Sequence, residues 1–141
     1  MTVAEFSNRD DGEAQDAAAT VIYVCTTCRQ PGDPDDLPRP GAALAAATVR
    51  AAENTGIAVR PLRCLANCKR GCSAVLRRLD AWSYVFGHLD PEADATALVQ
   101  GAQLLSRSTD GLMPWRGRPE ILKRGLIARV PPIDFIEEET E

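Results

Sequence analysis

Five cysteines in two short clusters carry the chemistry that this sequence offers. The first cluster is Cys25-Thr-Thr-Cys28, and the second reads Cys64-Leu-Ala-Asn-Cys68 and is followed by Gly71-Cys72. A thiolate binds soft metal ions strongly, and two thiolates that are close in the chain can hold one ion. Two such pairs supply the four sulfurs that either a [2Fe–2S] cluster or one tetrahedral zinc ion requires. The spacing alone does not decide between iron and zinc.

The number and placement of the cysteines argue against a disulfide scaffold. Such scaffolds spread an even number of cysteines through a small secreted chain, whereas these are odd in number and clustered. Residues 1–16 are acidic and lack the apolar stretch of a secretory signal. The sequence has no apolar run of about 18 residues, so it predicts no transmembrane helix. We therefore expect a cytoplasmic protein whose clustered thiols bind metal.

The charged residues are unevenly distributed along the chain. The net charge of −4 argues against non-specific nucleic-acid binding, which depends on cationic contacts to phosphate. Residues 112–130 nevertheless carry five cations against the single acid Glu120, and residues 137–141 carry four acids. Trp115 lies among these cations. Three interpretations stay open for this segment: it shields the metal site, it docks an acidic electron-transfer partner, or it packs Trp115 on the core.

The elements around the cysteines predict a β-α-β unit. Residues 20–24 are a compact β-branched and aromatic run that ends at the first cluster, and residues 57–62 are a second strand that leads into the second cluster. The Ala-rich segment 41–54 favours a helix between them. Because the strands of a right-handed β-α-β unit are parallel, their carboxyl ends lie at one edge of the sheet. The 35 residues that separate Cys28 from Cys64 are therefore no obstacle to a shared site.

The second half of the chain predicts a hairpin and a helix. Two apolar runs, 73–79 and 82–86, are typical of an antiparallel strand pair. Asp90-Pro91-Glu92 then indicates a helix start, with Asp90 as the N-cap and Pro91 at the first helical position. A short helix at 119–123 and an extended segment at 126–130 follow. We expect an α/β fold with the element order β-α-β-β-β-α and a C-terminal extension.

This pattern divides the chain into three parts. Residues 1–18 are polar and acidic and are expected to be a disordered leader. Residues 19–108 form one α/β domain, for which an apolar content of 45% supplies an ordinary core. Residues 109–141 form the C-terminal extension with its acidic tail.

The sequence offers no catalytic constellation. A thiol oxidoreductase would need a helix that starts at Cys28, and the four prolines within residues 31–40 prevent such a helix. The only histidine, His88, lies beyond the hairpin and is expected to be a structural or surface residue.

Cationic residues flank both clusters and stabilise thiolates: Arg29, Arg63, Lys69 and Arg70. We expect a metal-binding carrier and no enzymatic activity.

The second cluster and the segments after it resemble the thioredoxin-like [2Fe–2S] ferredoxins. The similar segments are Cys64-Leu-Ala-Asn-Cys68, the aromatic segment Trp82–Gly87 and the Pro-initiated helix at Asp90-Pro91, and the order of elements matches over roughly residues 20–106. The resemblance implies a thioredoxin-like fold, a redox partner protein, a homodimer and a [2Fe–2S] cluster. The implied ligands are Cys25, Cys28, Cys64 and Cys68. Cys72 replaces the proline that usually follows the glycine, which makes it the alternate ligand.

Nearly the whole chain after residue 20 resembles, more closely, the DUF1636 family of predicted metal-binding bacterial proteins. The shared segments are Cys-Thr-Thr-Cys, Cys-x3-Cys-x-x-Gly-Cys, Pro114-Trp-Arg116 and Arg118-Pro119. Genes of that family tend to accompany cobalamin and metal-homeostasis functions. Two functions therefore stay open. One is electron transfer by a [2Fe–2S] cluster. The other is the binding of zinc or another metal in a structural, storage or chaperone role, linked to cobalamin or metal homeostasis.

Overall fold

The computed structural model describes residues 20–27, 39–66 and 71–137. Several predicted features lie outside these ranges: the leader 1–18, Cys28, Arg29, Cys68, Lys69, Arg70 and most of the proline-rich loop. The strands are β1 (Thr20–Cys25), β2 (Ala58–Leu62), β3 (Cys72–Arg78), β4 (Ser83–Leu89) and β5 (Leu126–Val130). The helices are α1 (Pro40–Ala51), α2 (Ala95–Arg107) and α3 (Ile121–Arg124). None of the described helices is long and apolar enough to cross a membrane.

The predicted β-α-β unit is confirmed. The sheet has the strand order β2-β1-β3-β4-β5, and β1 pairs with β2 in parallel so that Cys25 lies opposite Leu62. On its other side β1 pairs with β3, which is antiparallel to it and begins at Cys72. The carboxyl ends of β1 and β2 and the amino end of β3 therefore meet at one edge of the sheet. That edge carries all the described cysteines.

The predicted hairpin is also confirmed, with β3 and β4 antiparallel. Its turn needs no glycine, because Asp80 adopts the left-handed conformation (φ 65°) that aspartate tolerates better than most residues. The N–H of Ala81 donates to the carbonyl of Arg78 at 3.0 Å and closes the turn. The N–H of Trp82 then donates to Gly111 at 2.9 Å, which ties the hairpin to the segment after α2.

The predicted start of α2 was wrong by several residues. Residues 91–94 form a turn, and the helix begins at Ala95. The Asp90 carboxylate accepts hydrogen bonds from the N–H groups of Glu92 (3.0 Å) and Ala93 (2.6 Å), so the aspartate caps this turn. The core face of the helix follows its predicted spacing, since every apolar residue of that face is buried: Ala95, Leu98, Val99, Ala102 and Leu105.

One face of the sheet carries the core. Alternate strand residues such as Ile22, Leu76 and Phe86 are fully buried and pack with α1 and α2. Segments beyond α2 join the same core through Met113 and Leu122. The predicted short helix and extended segment are present as α3 and β5, and β5 pairs antiparallel with β4. The division of the chain at residue 108 stays a prediction.

Candidate metal centre

The pairing of β1 and β2 continues past the ends of both strands and holds the residues after Cys25 beside those that precede Cys64. The N–H of Thr26 donates to the carbonyl of Leu62 at 2.8 Å, and the Thr26 hydroxyl donates to the same oxygen at 3.1 Å. The Thr27 hydroxyl then donates to the carbonyl of Arg63. These bonds fix the residue after Cys25 beside the residues that precede Cys64.

Cys25 is buried, with 1% of its surface exposed, yet it does not belong to the contact cluster of the core. Its neighbour Val24 does belong to that cluster, and successive strand residues point to opposite faces. The Sγ atom of Cys25 lies 3.7 Å from the carbonyl oxygen of Arg63 and 3.7 Å from the Thr27 hydroxyl. The first thiol therefore meets the chain directly before the second cluster.

Cys64 presents a different environment from Cys25. Its side chain is exposed, and its Sγ atom accepts a hydrogen bond from the N–H of Ala66 at 3.1 Å. Ala66 takes a positive φ of 57°, which turns the loop back towards the sulfur. A backbone N–H that points at sulfur stabilises the charged thiolate, which is the form that binds metal.

Cys72 lies in the core. It is the first residue of β3, pairs with Leu89, and has 0% of its surface exposed. It belongs to the same contact cluster as Ala74 and Phe86, with which the hairpin packs against the helices. This position favours a packing role for Cys72, in contrast to the loop environment of Cys64.

This chain matches a known protein family over most of its length. The family described as "Protein of unknown function (DUF1636)" matches residues 22–132, which is most of the chain. The chain belongs to the DUF1636 family. No curated protein matches this DUF1636 chain.

Solved structures share the fold of this DUF1636 chain. One is a thioredoxin-like [2Fe–2S] ferredoxin from Aquifex aeolicus, with a TM-score of 0.52, 16% identity, and coverage of 84% of this chain and 98% of that chain. Another is the wild-type thioredoxin-like [2Fe–2S] ferredoxin from Aquifex aeolicus, with a TM-score of 0.50, 17% identity, and coverage of 78% and 97%. At these identities the likeness shows the fold, so the predicted thioredoxin-like α/β fold is confirmed.

Half of the predicted ligand set of the DUF1636 chain is placed by the structure. Cys25 and Cys64 lie at the shared edge of the sheet, whereas Cys28 and Cys68 lie outside the described residues. Within the described ranges no three side chains of the metal-binding types come together. His88 is exposed on β4, as expected for a surface residue. The assignment of four cysteine ligands stays a prediction.

Sequence reasoning missed the residues that fasten the first cluster. The threonines of Cys-Thr-Thr-Cys donate to the carbonyls of Leu62, at the end of β2, and of Arg63, and the guanidinium of Arg39 donates to the carbonyl of Thr27 at 2.6 Å. Two adjacent threonines between two cysteines were a usable signal, because short hydroxyl side chains often bond to nearby backbone. Arg39 gave no such signal, because its partner is 12 residues away in the chain.

Proposed function

We propose that this DUF1636 chain binds a [2Fe–2S] cluster through Cys25, Cys28, Cys64 and Cys68 and serves as an electron-transfer protein. The observation that carries the proposal is the 3.7 Å approach of the Cys25 Sγ atom to the Arg63 carbonyl, one residue before Cys64. It brings Cys25 beside the residue that precedes Cys64, although the two cysteines are far apart in the sequence. The fold shared with the Aquifex aeolicus ferredoxins supports the same conclusion.

The described residues fit a cluster of this kind. Thiolate sulfurs are the ligands that iron–sulfur clusters take, and hydrogen bonds to those sulfurs tune their charge. The N–H of Ala66 supplies one such bond to Cys64 at 3.1 Å. Burial keeps water from Cys25. The threonine and arginine contacts hold the loop of the first cluster against the end of β2, which preorganises the sulfurs.

A bound [2Fe–2S] cluster supplies transfer of a single electron. The chain's own residues hold and orient it, and this role requires no bound substrate and no catalytic residue. Because Cys64 is exposed while Cys25 is buried, the Cys64 side of the site is open to an approaching redox partner protein. We therefore propose a carrier and not an enzyme, located in the cytoplasm.

A homodimer is part of this proposal and rests on the ferredoxin resemblance. The two largest apolar side chains of β4, Tyr84 and Phe86, do not supply a dimer interface, because they are buried against the helices. Sedimentation at micromolar concentration tests the homodimer, and a purely monomeric species would contradict it.

An absorption spectrum of protein purified without oxygen, with iron, sulfide and zinc counts, tests the proposal. We expect a brown protein with visible absorption and with iron and acid-labile sulfide in equal amounts. A colourless protein that holds zinc and no sulfide would overturn the iron–sulfur assignment. That result would favour the zinc-binding function, with its link to cobalamin or metal homeostasis.

A further inference from the structure

Strand β5 forms an exposed edge of the sheet within the described part of the chain. Its residues 128–130 are exposed, its sequence Leu-Ile-Ala-Arg-Val contains no proline, and in this part of the chain it pairs with β4 alone. The opposite edge strand, β2, is interrupted by Pro61. Unpaired backbone groups on an apolar edge strand form a template for another strand, and proline is a common protection against this. Of the two edge strands in the described residues, β5 has no proline within it, and Pro131 and Pro132 lie beyond its last residue.

A row of aromatic and cationic side chains runs beside this edge. The guanidinium of Arg129 lies 4.4 Å from the centre of the Trp82 ring, and the Phe135 ring contacts Trp82 edge-on at 5.2 Å. Farther along, the guanidinium of Arg118 and the ammonium of Lys123 lie 5.1 and 4.7 Å from the centre of the Trp115 ring. We call this set the cationic row: Trp82, Trp115, Arg118, Lys123 and Arg129.

Hydrogen bonds to the backbone hold Arg118 in the middle of the cationic row. The guanidinium of Arg118 donates to the carbonyls of Met113 at 2.6 Å and Pro114 at 3.3 Å, and it also lies 5.6 Å from the Tyr84 ring. Trp115 is nevertheless 62% exposed, so the interpretation in which it packs on the core is wrong. An exposed indole held by fixed cations resembles the anchor residues of protein interfaces, where tryptophan and arginine dominate.

The charge of the cationic row is not neutralised by the described residues. The one ion pair among them joins Arg124 to Glu120 at 4.0 Å, outside the row. Burial lowers the pKa of Arg118, Tyr84 acts in the opposite direction, and the like charge of Arg129 lowers it further because the two guanidinium groups repel each other. Carboxylates from a partner would relieve this repulsion.

The two sides of β5 have different chemistry. Arg129 pairs with Tyr84, and paired residues of neighbouring strands point to the same side of the sheet. Because Tyr84 is buried on the helix side, Arg129 also points to the helix side, which is the side of the cationic row. Ala128 and Val130 pair with Val85 and Ser83 and face the opposite side. A strand added to β5 would therefore place alternate residues beside cations on one side and beside small apolar residues on the other.

We propose that β5 and the cationic row bind an extended segment of a partner protein in which acidic and apolar residues alternate, by addition of a strand to the sheet. Backbone hydrogen bonds supply affinity in this mode, and alternate side chains supply specificity. A nucleic acid lacks the backbone amides that a strand edge pairs with, and the net charge of −4 disfavours a long polyanion. The inference goes beyond the proposed electron transfer and uses none of the cysteines.

Fluorescence anisotropy with the full chain and a labelled peptide of about eight residues that alternates Glu and Val tests this inference. We expect binding that Arg129→Glu weakens by about tenfold or more, since the change places like charges together. Lys123→Glu should weaken binding as well. Arg60→Glu makes the same charge change on the opposite edge strand β2 and should leave binding unaltered. Circular dichroism confirms that each variant is folded.

Three further measurements separate strand addition from its alternatives. N-methylation of alternate amides of the peptide should abolish binding, and a peptide that alternates Lys and Val should not bind. Equal binding of the N-methylated peptide, or equal weakening by Arg60→Glu and Arg129→Glu, would overturn the proposal. So would tighter binding of a single-stranded oligothymidylate. A chain that is dimeric through β5 and binds no peptide would also overturn it, because a second copy would then occupy the edge.

Discussion

The phenolic oxygen of Tyr84 accepts a hydrogen bond from the backbone N–H of Met113 at 2.8 Å, within the core. Tyr84 lies on β4, whereas Met113 lies in the segment that follows α2. The ring of Tyr84 stacks on Phe86 with 6.4 Å between ring centres, so its orientation is set by the core. The bond therefore fastens the segment after α2 to the sheet.

Tyr84→Phe removes this acceptor and leaves the buried N–H of Met113 without a partner. An unsatisfied buried donor costs about 1–3 kcal/mol. We expect the free energy of unfolding to fall by about that amount in urea denaturation. Tyr23→Phe is the matched control, because Tyr23 is half-buried on the open side of the sheet and should lose much less. Equal losses for both variants would contradict the assigned role of the bond.

The contact between α2 and α3 depends on the absence of a side chain at Gly101. A Cβ atom at this position would overlap Cδ1 of Leu122, which is fully buried. We expect Gly101→Ala to destabilise the fold by about 1–3 kcal/mol and Leu122→Ala by about 2–5 kcal/mol. The double variant should lose less than the sum, because the shortened side chain leaves room for the methyl group. Strict additivity in thermal or urea unfolding would show that the two sites are independent.

The two buried cysteines should respond differently to removal of their thiols. Cys25→Ala should eliminate the visible spectrum, because Cys25 lies at the loop that approaches Cys64. Cys72→Ala should leave the spectrum nearly intact, because Cys72 packs in the core. Absorption spectra and iron counts on protein purified without oxygen provide the measurement. A colourless Cys72→Ala protein alongside an intact Cys28→Ala protein would reverse the ligand assignment.

The Thr27 hydroxyl should control how long the metal centre survives in air. Thr27→Val removes the hydrogen bond to Arg63 and the 3.7 Å contact with the Cys25 sulfur, which loosens the loop of the first cluster. We expect a folded protein that loses its visible absorption about tenfold faster, because removing a group that orients a metal ligand weakens metal binding by roughly 10- to 100-fold. Thr96→Val, on the exposed surface of α2, is the control. Identical lifetimes for the two variants would remove Thr27 from the site.

The predicted segment 112–130 shows why local sequence leaves some questions open. The composition of this segment was consistent with three roles: shielding of the metal site, docking of an acidic partner, or packing of Trp115 on the core. In the structure Met113 and Leu122 are buried, whereas Trp115 is exposed and contacts cations of its own segment. Which apolar residue is buried depends on the partner surface that meets it, and here those partners are α2 and β4. The burial of Met113 and Leu122 and the exposure of Trp115 therefore depend on residues that are distant in the sequence.

The start of α2 shows a conflict between two local signals. Asp90-Pro91 is a good helix start, but the same carboxylate also caps a turn by accepting from the N–H groups of residues 92 and 93. Asp94 reinforces the turn by accepting from the N–H of Asp90 at 2.6 Å. A helix start and a capped turn both give these backbone N–H groups the same acceptor, so the sequence alone did not show which of the two structures forms.

The residue pattern was enough to predict that Cys25 and Cys64 lie at one edge of the sheet, because two β-branched runs separated by a helical segment form parallel strands whose carboxyl ends coincide. It also determined the order of elements and the core face of α2 from the spacing of apolar residues. The residue pattern did not show that Cys25 faces the chain before Cys64 while Cys72 faces the core. The direction of a thiol at the end of a strand depends on strand register and on a bulge in the pairing of β3 with β4, and both are set by contacts between distant segments.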